Sequence, residues 1–337
     1  MSQTQCLKPC EDVLSGLPPE VQLHQYCDAG YLAAEQNYLK YSSELRNLFL
    51  IKNRGSLVNI AAVQHIRRMR GGAQGHLMRC SDNQFYVVKF LNNPQHIRVL
   101  TNEYFATGLA ESVGLPVPAT AIVEVGEWLI NHTPELNIQM AHRTIRCEPG
   151  LHLGSRYVVN PLTGNVIDYL PTEMLVRVRN VRSFAGMLAL DKWTGNADGR
   201  QAAFWRLLRE RKYTASFIDQ GYCFNGGEWT FPDYALRGVF SRNEVYAEVQ
   251  SWESFEPWLP RVENIDGQFL WLLAEEIPPE WYGGDWSALE MLIDKLILRR
   301  GVIRDLITAF RLSPRRPFPA WDKILSENIS EMATEQI

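Results

Sequence analysis

Apolar and polar residues alternate in a strand-like pattern that begins near Val63. The alternation predicts three strands, over residues 64–70, 76–80 and 84–90. The glycine-rich residues 71–75 predict a tight loop between the first two strands, and residues 81–83 predict a turn before the third. The order is therefore strand, glycine loop, strand, turn and a strand that carries Lys89 near its end.

A helical period replaces this alternation after residue 95. It predicts a helix over residues 96–113, which Gly114 ends. Two further short segments predict a hairpin that would complete a five-stranded sheet, residues 119–125 and 128–130. The pattern weakens from residue 131 to residue 159, and we expect the connection between two parts of the molecule there.

The second half of the chain is predicted to be mainly helical, with one hairpin. The predicted helices cover residues 172–190, a segment capped by Asp285 or Ser287 that runs to about Arg300, and a further stretch to Phe310. The predicted hairpin consists of residues 201–208 and 213–218. This distribution of strands and helices predicts an α+β fold.

Composition narrows the class of protein. The chain has 337 residues, a net charge of −4 and a pI near 6.0, so it lacks the basic excess that favours nucleic-acid binding. Its six cysteines contain no C-x-x-C pair, which indicates reduced thiols. Neither a signal peptide nor an apolar run of membrane-spanning length is present in the sequence, and we therefore expect a cytoplasmic protein.

Two features of the predicted sheet are typical of phosphate binding. Gly71, Gly72 and Gly75 lie between two strands, where backbone N–H groups can approach phosphate oxygens, although an ordinary hairpin loop has the same composition. Lys89 ends an apolar strand, where an unpaired ammonium group would be costly to desolvate. Glu103 on the following helix can supply the anion that Lys89 requires.

Two acids flank the predicted hairpin of the second half. Asp198 leads into its first strand, and Asp219 follows its second strand. The hairpin therefore brings both carboxylates to the same end, as a catalytic acid and a metal-binding acid require. Either aspartate alone would be equally typical of a turn or a helix cap.

Five motifs in order resemble the HipA-like kinases. They are Gly72-Ala73-Gln74, Val87-Val88-Lys89, Asn102-Glu103-Tyr104, Gly114-Leu115-Pro116-Val117-Pro118 and Gly195-Asn196-Ala197-Asp198-Gly199. The resemblance implies a two-lobed, protein-kinase-like fold with a small antiparallel-sheet N-lobe and a mainly helical C-lobe. We expect an extension over residues 1–57, the N-lobe over 58–160, the C-lobe over 161–320 and a tail over 321–337.

The resemblance also implies site residues and ligands. The loop Gly71, Gly72, Ala73, Gln74 and Gly75 would cover the phosphates of ATP. Lys89 would contact them with Glu103 as its partner, Asp198 would be the catalytic acid or base, and Asp219 would bind Mg²⁺. Family members phosphorylate protein hydroxyls and often occur with an antitoxin, which makes a protein substrate and an antitoxin-like partner expectations from the family alone.

Two residues depart from the family pattern. Arg200 and Ala203 stand where many members carry His and Asn, and an alanine cannot bind a metal. Asn196 or Gln201 could substitute as the second metal ligand. Asp191 with Asn196 reproduces the D-x-x-x-x-N spacing one step upstream, so Asp191 is an alternative catalytic acid. The loss of the asparagine also leaves open a pseudokinase that binds nucleotide or a partner without catalysis.

Overall fold

The computed structural model describes residues 60–324 and residue 326. The extension predicted over residues 1–57 lies outside them. The strands are β1 Ile60–Arg68, β2 His76–Cys80, β3 Phe85–Lys89, β4 Thr120–Val125, β5 Asn137–Gln139, β6 Thr144–Arg146, β7 Gly150–Arg156, β8 Gly164–Ile167, β9 Gln201–Leu207 and β10 Thr214–Ile218. The helices are α1 Val99–Ser112, α2 Glu127–His132, α3 Ser183–Thr194, α4 Trp258–Glu263, α5 Gly267–Glu275, α6 Trp286–Arg299 and α7 Ile303–Arg311.

The N-lobe is a closed five-stranded barrel in the order β1-β2-β3-β7-β4. All its strand pairs are antiparallel except β1 with β4, which is parallel. Alternate residues of the strands point inward and form an apolar core that includes Met78, Val88 and Val123. The predicted order of strand, glycine loop, strand, turn and strand is confirmed.

The predicted strand over residues 128–130 is wrong. These residues lie in helix α2, where Leu129 and Ile130 are buried while Trp128 is exposed and stacks on His132, with ring centroids 4.5 Å apart. The spacing of four residues between the two rings suits a helical turn and not a strand. The fifth strand of the barrel is instead β7, from the segment in which the sequence pattern is weak.

The C-lobe combines a three-stranded sheet, in the order β10-β9-β8, with most of the helices. The predicted β9–β10 hairpin is confirmed, and its register pairs Gln201 with Ile218. The large hydrophobic core around helix α3 includes Phe184 and Trp193, and it extends to Phe105 of helix α1. Helix α6 begins at the Asp285 cap, whose carboxylate accepts a hydrogen bond from the Ala288 N–H at 3.0 Å, as one of the two predicted caps requires.

The helix predicted over residues 172–190 is interrupted. A 3₁₀ helix covers Thr172–Arg177, and α3 begins only at Ser183. Between them, the Arg177 carbonyl and the Arg179 N–H both bond to the backbone of Tyr213, at 2.9 Å each. A backbone that pairs with a neighbouring segment cannot also form helical hydrogen bonds, which explains the break. Within the described part of the chain, no helix combines the length and the apolarity that crossing a membrane requires.

A buried histidine of the barrel predicts a pH-dependent stability. His152 is 1% exposed, and burial lowers its pKa from 6.5 to about 4 although its ring also bonds to the Glu148 carbonyl. The unfolded chain therefore binds a proton between pH 6.5 and 4 that the folded chain excludes. We expect this histidine to contribute roughly 3 kcal/mol of stability above pH 6.5, which is lost as the pH falls towards 4.

Chemical denaturation at several pH values checks this expectation. His152→Gln should flatten the fall in the free energy of unfolding between pH 6.5 and 4. His142→Gln is the matched control, because His142 is exposed. An unchanged slope in His152→Gln would show that other groups cause the acid sensitivity.

Candidate functional site

A cleft of about 690 Å³ lies between the barrel and the β8–β9–β10 sheet. Its volume is in the range of small-molecule sites. The glycine loop and β3 line one side, and β9 with the end of β10 lines the other. The lining contains more basic than acidic residues. The acidic residues are Glu103, Asp168 and Asp219. The basic residues are Arg67, Arg70, Lys89, Arg156, Arg200 and Arg242.

Lys89 joins the two lobes at the base of this cleft. It is the last residue of β3, and its Nζ contacts the Glu103 carboxylate on helix α1. The same Nζ donates to Oδ1 of Asp219 at 2.9 Å, 130 residues further along the chain. Lys89 and Glu103 are 9% and 3% exposed. The predicted Lys89–Glu103 pair is thus present, and Asp219 shares the same ammonium group.

The three charges shift one another's protonation. Burial by itself would lower the pKa of Lys89, but the neighbouring carboxylates of Glu103 and Asp219 outweigh it and hold the pKa above its ordinary value. The Lys89 ammonium group in turn lowers the pKa of Asp219. At neutral pH the cleft therefore presents a charged ammonium group beside a charged carboxylate.

The loop of residues 71–75 closes over the same cleft. The Met69 N–H donates to the Gly75 carbonyl at 2.8 Å, which joins the two ends of the loop. A Cβ atom on Gly75 would lie 2.9 Å from a methyl group of Val87, so only glycine fits there. The Gln74 side chain exchanges two hydrogen bonds with the backbone of Gln139, at 2.7 and 2.8 Å. All five loop residues line the cleft.

Asp219 has an unusual backbone. Its φ is +63°, in the left-handed region that a non-glycine residue rarely adopts. Its Oδ2 accepts a hydrogen bond from Nε2 of Gln201 at 2.8 Å. The buried Asn102 of α1 donates to the Gly221 carbonyl at 2.9 Å and to the Gly226 carbonyl at 2.7 Å. The segment after Asp219 is therefore held against the same helix that carries Glu103.

The structure places Asp198 and Asn196 in the loop between α3 and β9, outside the lining of the cleft. Asp198 is exposed, and its Oδ1 accepts from the Gly199 N–H at 2.7 Å. Asn196 is buried, donates to Asp191 at 2.9 Å and accepts from the Asp198 N–H at 3.1 Å. Both polar ends of the Asn196 side chain are therefore engaged within the protein.

The alternative acid Asp191 is inaccessible. Its side chain is 0% exposed, and both oxygens bond to the guanidinium group of Arg200. An acceptor hydroxyl could not reach it without displacing that ion pair. Of the two aspartates that the sequence offers as catalytic acid, only Asp198 presents its carboxylate at the surface.

The cleft fits a Mg²⁺–nucleotide better than a metal alone. Among residues 60–324 and 326, no cluster of three or more His, Cys, Asp or Glu side chains could hold a metal ion by itself. Mg²⁺ is commonly bound by one or two carboxylates together with substrate phosphates. Asp219 with the Gln201 amide beside it is such an incomplete ligand set, and the surplus of arginines suits the phosphates.

Sequence reasoning missed several residues that line the cleft. Arg156 is the last residue of β7 and Tyr157 follows it, while Asp168 and Tyr169 follow β8. Arg242 lies over the Tyr169 ring, with its guanidinium carbon 4.9 Å from the ring centroid. The only feature of the sequence that could have indicated these residues is their type, because arginine and aromatic side chains are common in sites that bind phosphates and bases.

Comparison with known proteins identifies similar chains. The sequence model of the HipA-like kinase family matches residues 62–287. No curated protein matches the chain. Similar solved structures include the Helicobacter pylori proinflammatory kinase CtkA, at 16% identity and a TM-score of 0.45, covering 74% of this chain and 99% of that one.

Two further solved structures are similar at lower scores. The Golgi casein kinase with Mn/ADP bound has 10% identity and a TM-score of 0.38, covering 80% of this chain and 78% of that one. HipA of Shewanella oneidensis MR-1, from a complex with HipB and operator DNA, has 12% identity and a TM-score of 0.37, covering 80% and 73%. These low scores carry no part of the assignment, which rests on the family match.

Proposed function

Because the chain belongs to the HipA-like kinase family, we propose that it transfers the γ-phosphate of ATP, with Mg²⁺, to a hydroxyl group of a protein serine or threonine. One observation supports the proposal above all. Lys89 contacts both Glu103 and Asp219 at the base of a cleft that the glycine loop covers. Phosphoryl transfer depends on such a set of positioned charges.

The N-lobe residues would bind and orient the nucleotide. The backbone N–H groups of residues 71–75 would face the phosphates, since this loop lines the cleft. Lys89 would bind the α- and β-phosphates, with Glu103 fixing its position. The cleft arginines other than Arg200, which is paired with Asp191, would neutralise further phosphate charge.

The C-lobe residues would hold the metal and the acceptor. Asp219 would bind Mg²⁺, with Gln201 as the neighbouring ligand, and Asn196 stays a prediction from the sequence because its side chain is engaged elsewhere. Bound Mg²⁺ would neutralise charge on the β- and γ-phosphates. Asp198 would accept the proton of the attacking hydroxyl, as an exposed carboxylate can.

A transfer assay tests the proposal. The full chain is incubated with γ-labelled ATP, Mg²⁺ and a mixture of proteins as acceptors, and label on protein serine or threonine is measured. We expect Mg²⁺-dependent transfer, which Asp219→Asn should abolish because the amide carries no charge for the metal. Equal labelling by wild type and Asp219→Asn would contradict the metal role of Asp219.

Ala203 supports a second candidate function, a pseudokinase that binds nucleotide without transfer. Its side chain lines the cleft on β9, where the family pattern expects a metal-binding asparagine. A thermal-shift titration with ATP and Mg²⁺ separates binding from no binding, since ligand at about 100 times its Kd adds roughly 2.7 kcal/mol to stability. A shift without label transfer would favour the pseudokinase, and no shift would exclude both candidates.

A further inference from the structure

A buried ion pair lies beneath the two acids of the site. Asp191 lies on helix α3 and Arg200 directly precedes β9, and their side chains are 0% and 1% exposed. Arg200 Nε donates to Asp191 Oδ2 at 2.9 Å, and a second N–H contacts Oδ1. Such a two-pronged contact fixes the direction of the guanidinium plane as well as its distance. Arg200 thus has one defined orientation.

The remaining nitrogen of Arg200 reaches the segment that carries Asp219. Its Nη1 donates to the Ile218 carbonyl at 2.8 Å, directly before Asp219. Asp219 adopts a left-handed backbone, which persists only where its surroundings enforce it. The Arg200 bond fixes the peptide on the N-terminal side of that conformation.

The same ion pair also reaches the loop that carries Asp198. Asn196 donates to Asp191 Oδ1 at 2.9 Å, and its own Oδ1 accepts the Asp198 N–H at 3.1 Å. Asp191 is therefore the common anchor of two arms. One arm runs through Arg200 to Asp219, and the other runs through Asn196 to Asp198.

We propose that Arg200 is a positioning residue that, with Asp191, sets the spacing between Asp198 and Asp219. This inference rests on the proposed function of the two acids. Arg200 lines the cleft, but its Nε and both terminal nitrogens are already used in bonds within the protein, so it acts through its partners. A lysine would keep the charge but could not hold a planar carboxylate and the Ile218 carbonyl in the same geometry.

The test is Arg200→Lys in the full chain. Misplacement of catalytic groups by about 1 Å can cost about 10²-fold in rate, so we expect kcat to fall by roughly that factor while KM for ATP changes less. Because Asp219 moves, the Mg²⁺ concentration for half-maximal rate should rise several-fold. Calorimetric titration of ADP should show the same loss of Mg²⁺-dependent affinity without any turnover.

Arg299→Lys is the matched control. Arg299 is also buried, pairs with Asp233 and donates to the carbonyls of Lys192 and Trp193, but it does not line the cleft. The Arg299→Lys substitution should lower Tm while leaving kcat and the Mg²⁺ requirement unchanged. If Arg200→Lys behaves in the same way, with only a lower Tm, Arg200 is structural and the inference is wrong.

Asn196→Ala separates the two arms and covers the case that Arg200→Lys does not fold. It breaks the connection to Asp198 and leaves the Asp191–Arg200 pair in place. We expect kcat to fall with an unchanged Mg²⁺ requirement, whereas a raised requirement would make Asn196 a metal ligand and contradict the two-arm arrangement. Failure of the proposed function itself looks different, because wild type would then show neither transfer nor Mg²⁺-dependent binding of ADP.

Discussion

Asp198→Asn should abolish phosphate transfer while nucleotide binding remains. General acid–base catalysis contributes roughly 10²–10⁴-fold to rate, and an asparagine cannot accept the proton of the attacking hydroxyl. Asp198 is exposed and lies outside the lining of the cleft, so stability should change by no more than about 0.5 kcal/mol. Initial rates with γ-labelled ATP and a thermal-shift titration with ADP and Mg²⁺ measure the two properties separately.

Asp191→Asn is the comparison that makes this result decisive. Breaking a buried ion pair by removing one partner costs about 3–5 kcal/mol, so this variant should be strongly destabilised. Asp198→Asn should keep its Tm. Full activity in Asp198→Asn, together with a folded but inactive Asp191→Asn, would transfer the catalytic role to Asp191.

Lys89→Met should remove nucleotide binding and destabilise the protein at neutral pH. The substitution removes the ammonium group that contacts Glu103 and Asp219, and Glu103 is then a buried acid without its cation. We expect a loss of about 3–5 kcal/mol in the free energy of unfolding and no thermal shift with ATP and Mg²⁺. Chemical denaturation and a nucleotide titration measure the two effects.

The pH dependence of Lys89→Met has a definite sign. Burial raises the pKa of Glu103 even with the opposing charge of Lys89 present, and losing that charge raises it further. A folded state that binds a proton more tightly than the unfolded state gains stability as the pH falls. The deficit of Lys89→Met relative to wild type should therefore shrink on acidification. If the stability difference between wild type and Lys89→Met is the same at every pH, the unpaired Glu103 is not its cause.

The double variant Lys89→Met with Glu103→Leu separates the fold from the site. Replacing both partners of a buried ion pair by apolar residues of similar size is often neutral or stabilising. The double variant should recover the part of the lost stability that comes from the unpaired Glu103, while Asp219 stays without its ammonium partner, and it should still bind no nucleotide. Recovery of binding as well would contradict a direct role of Lys89 at the phosphates.

Local pattern was sufficient for part of the fold. Strand alternation with a glycine loop predicts β1 to β3, and a lysine in the apolar end of β3 requires an anion, which Glu103 on the next helix supplies. The hairpin of β9 and β10 is equally local, because a short turn joins two strands that are adjacent in the sequence and pair in register. These features depend on residues that are close together in the sequence, and they can therefore be predicted from the sequence alone.

Other elements depend on partners that are distant in the chain. Strand β7 contains Gly150, His152 and Gly154, which are residue types that do not favour strands. The strand forms because it pairs with both β3 and β4. Residues 128–130 form a helix because one side is buried against the barrel core and the other is exposed. A weak pattern in one segment cannot specify such neighbours.

The amino-acid sequence by itself determined the family, the glycine loop, the Lys89–Glu103 pair and the two acids at one end of a hairpin. Tertiary structure alone decided that Asp219 shares Lys89, that Asp191 is buried and that Arg200 bonds to the residue before Asp219. The physical reason is desolvation. The positions of charged residues in the sequence show which of them could form ion pairs. Only tertiary packing decides which charged groups are buried away from water and therefore need a partner of opposite charge.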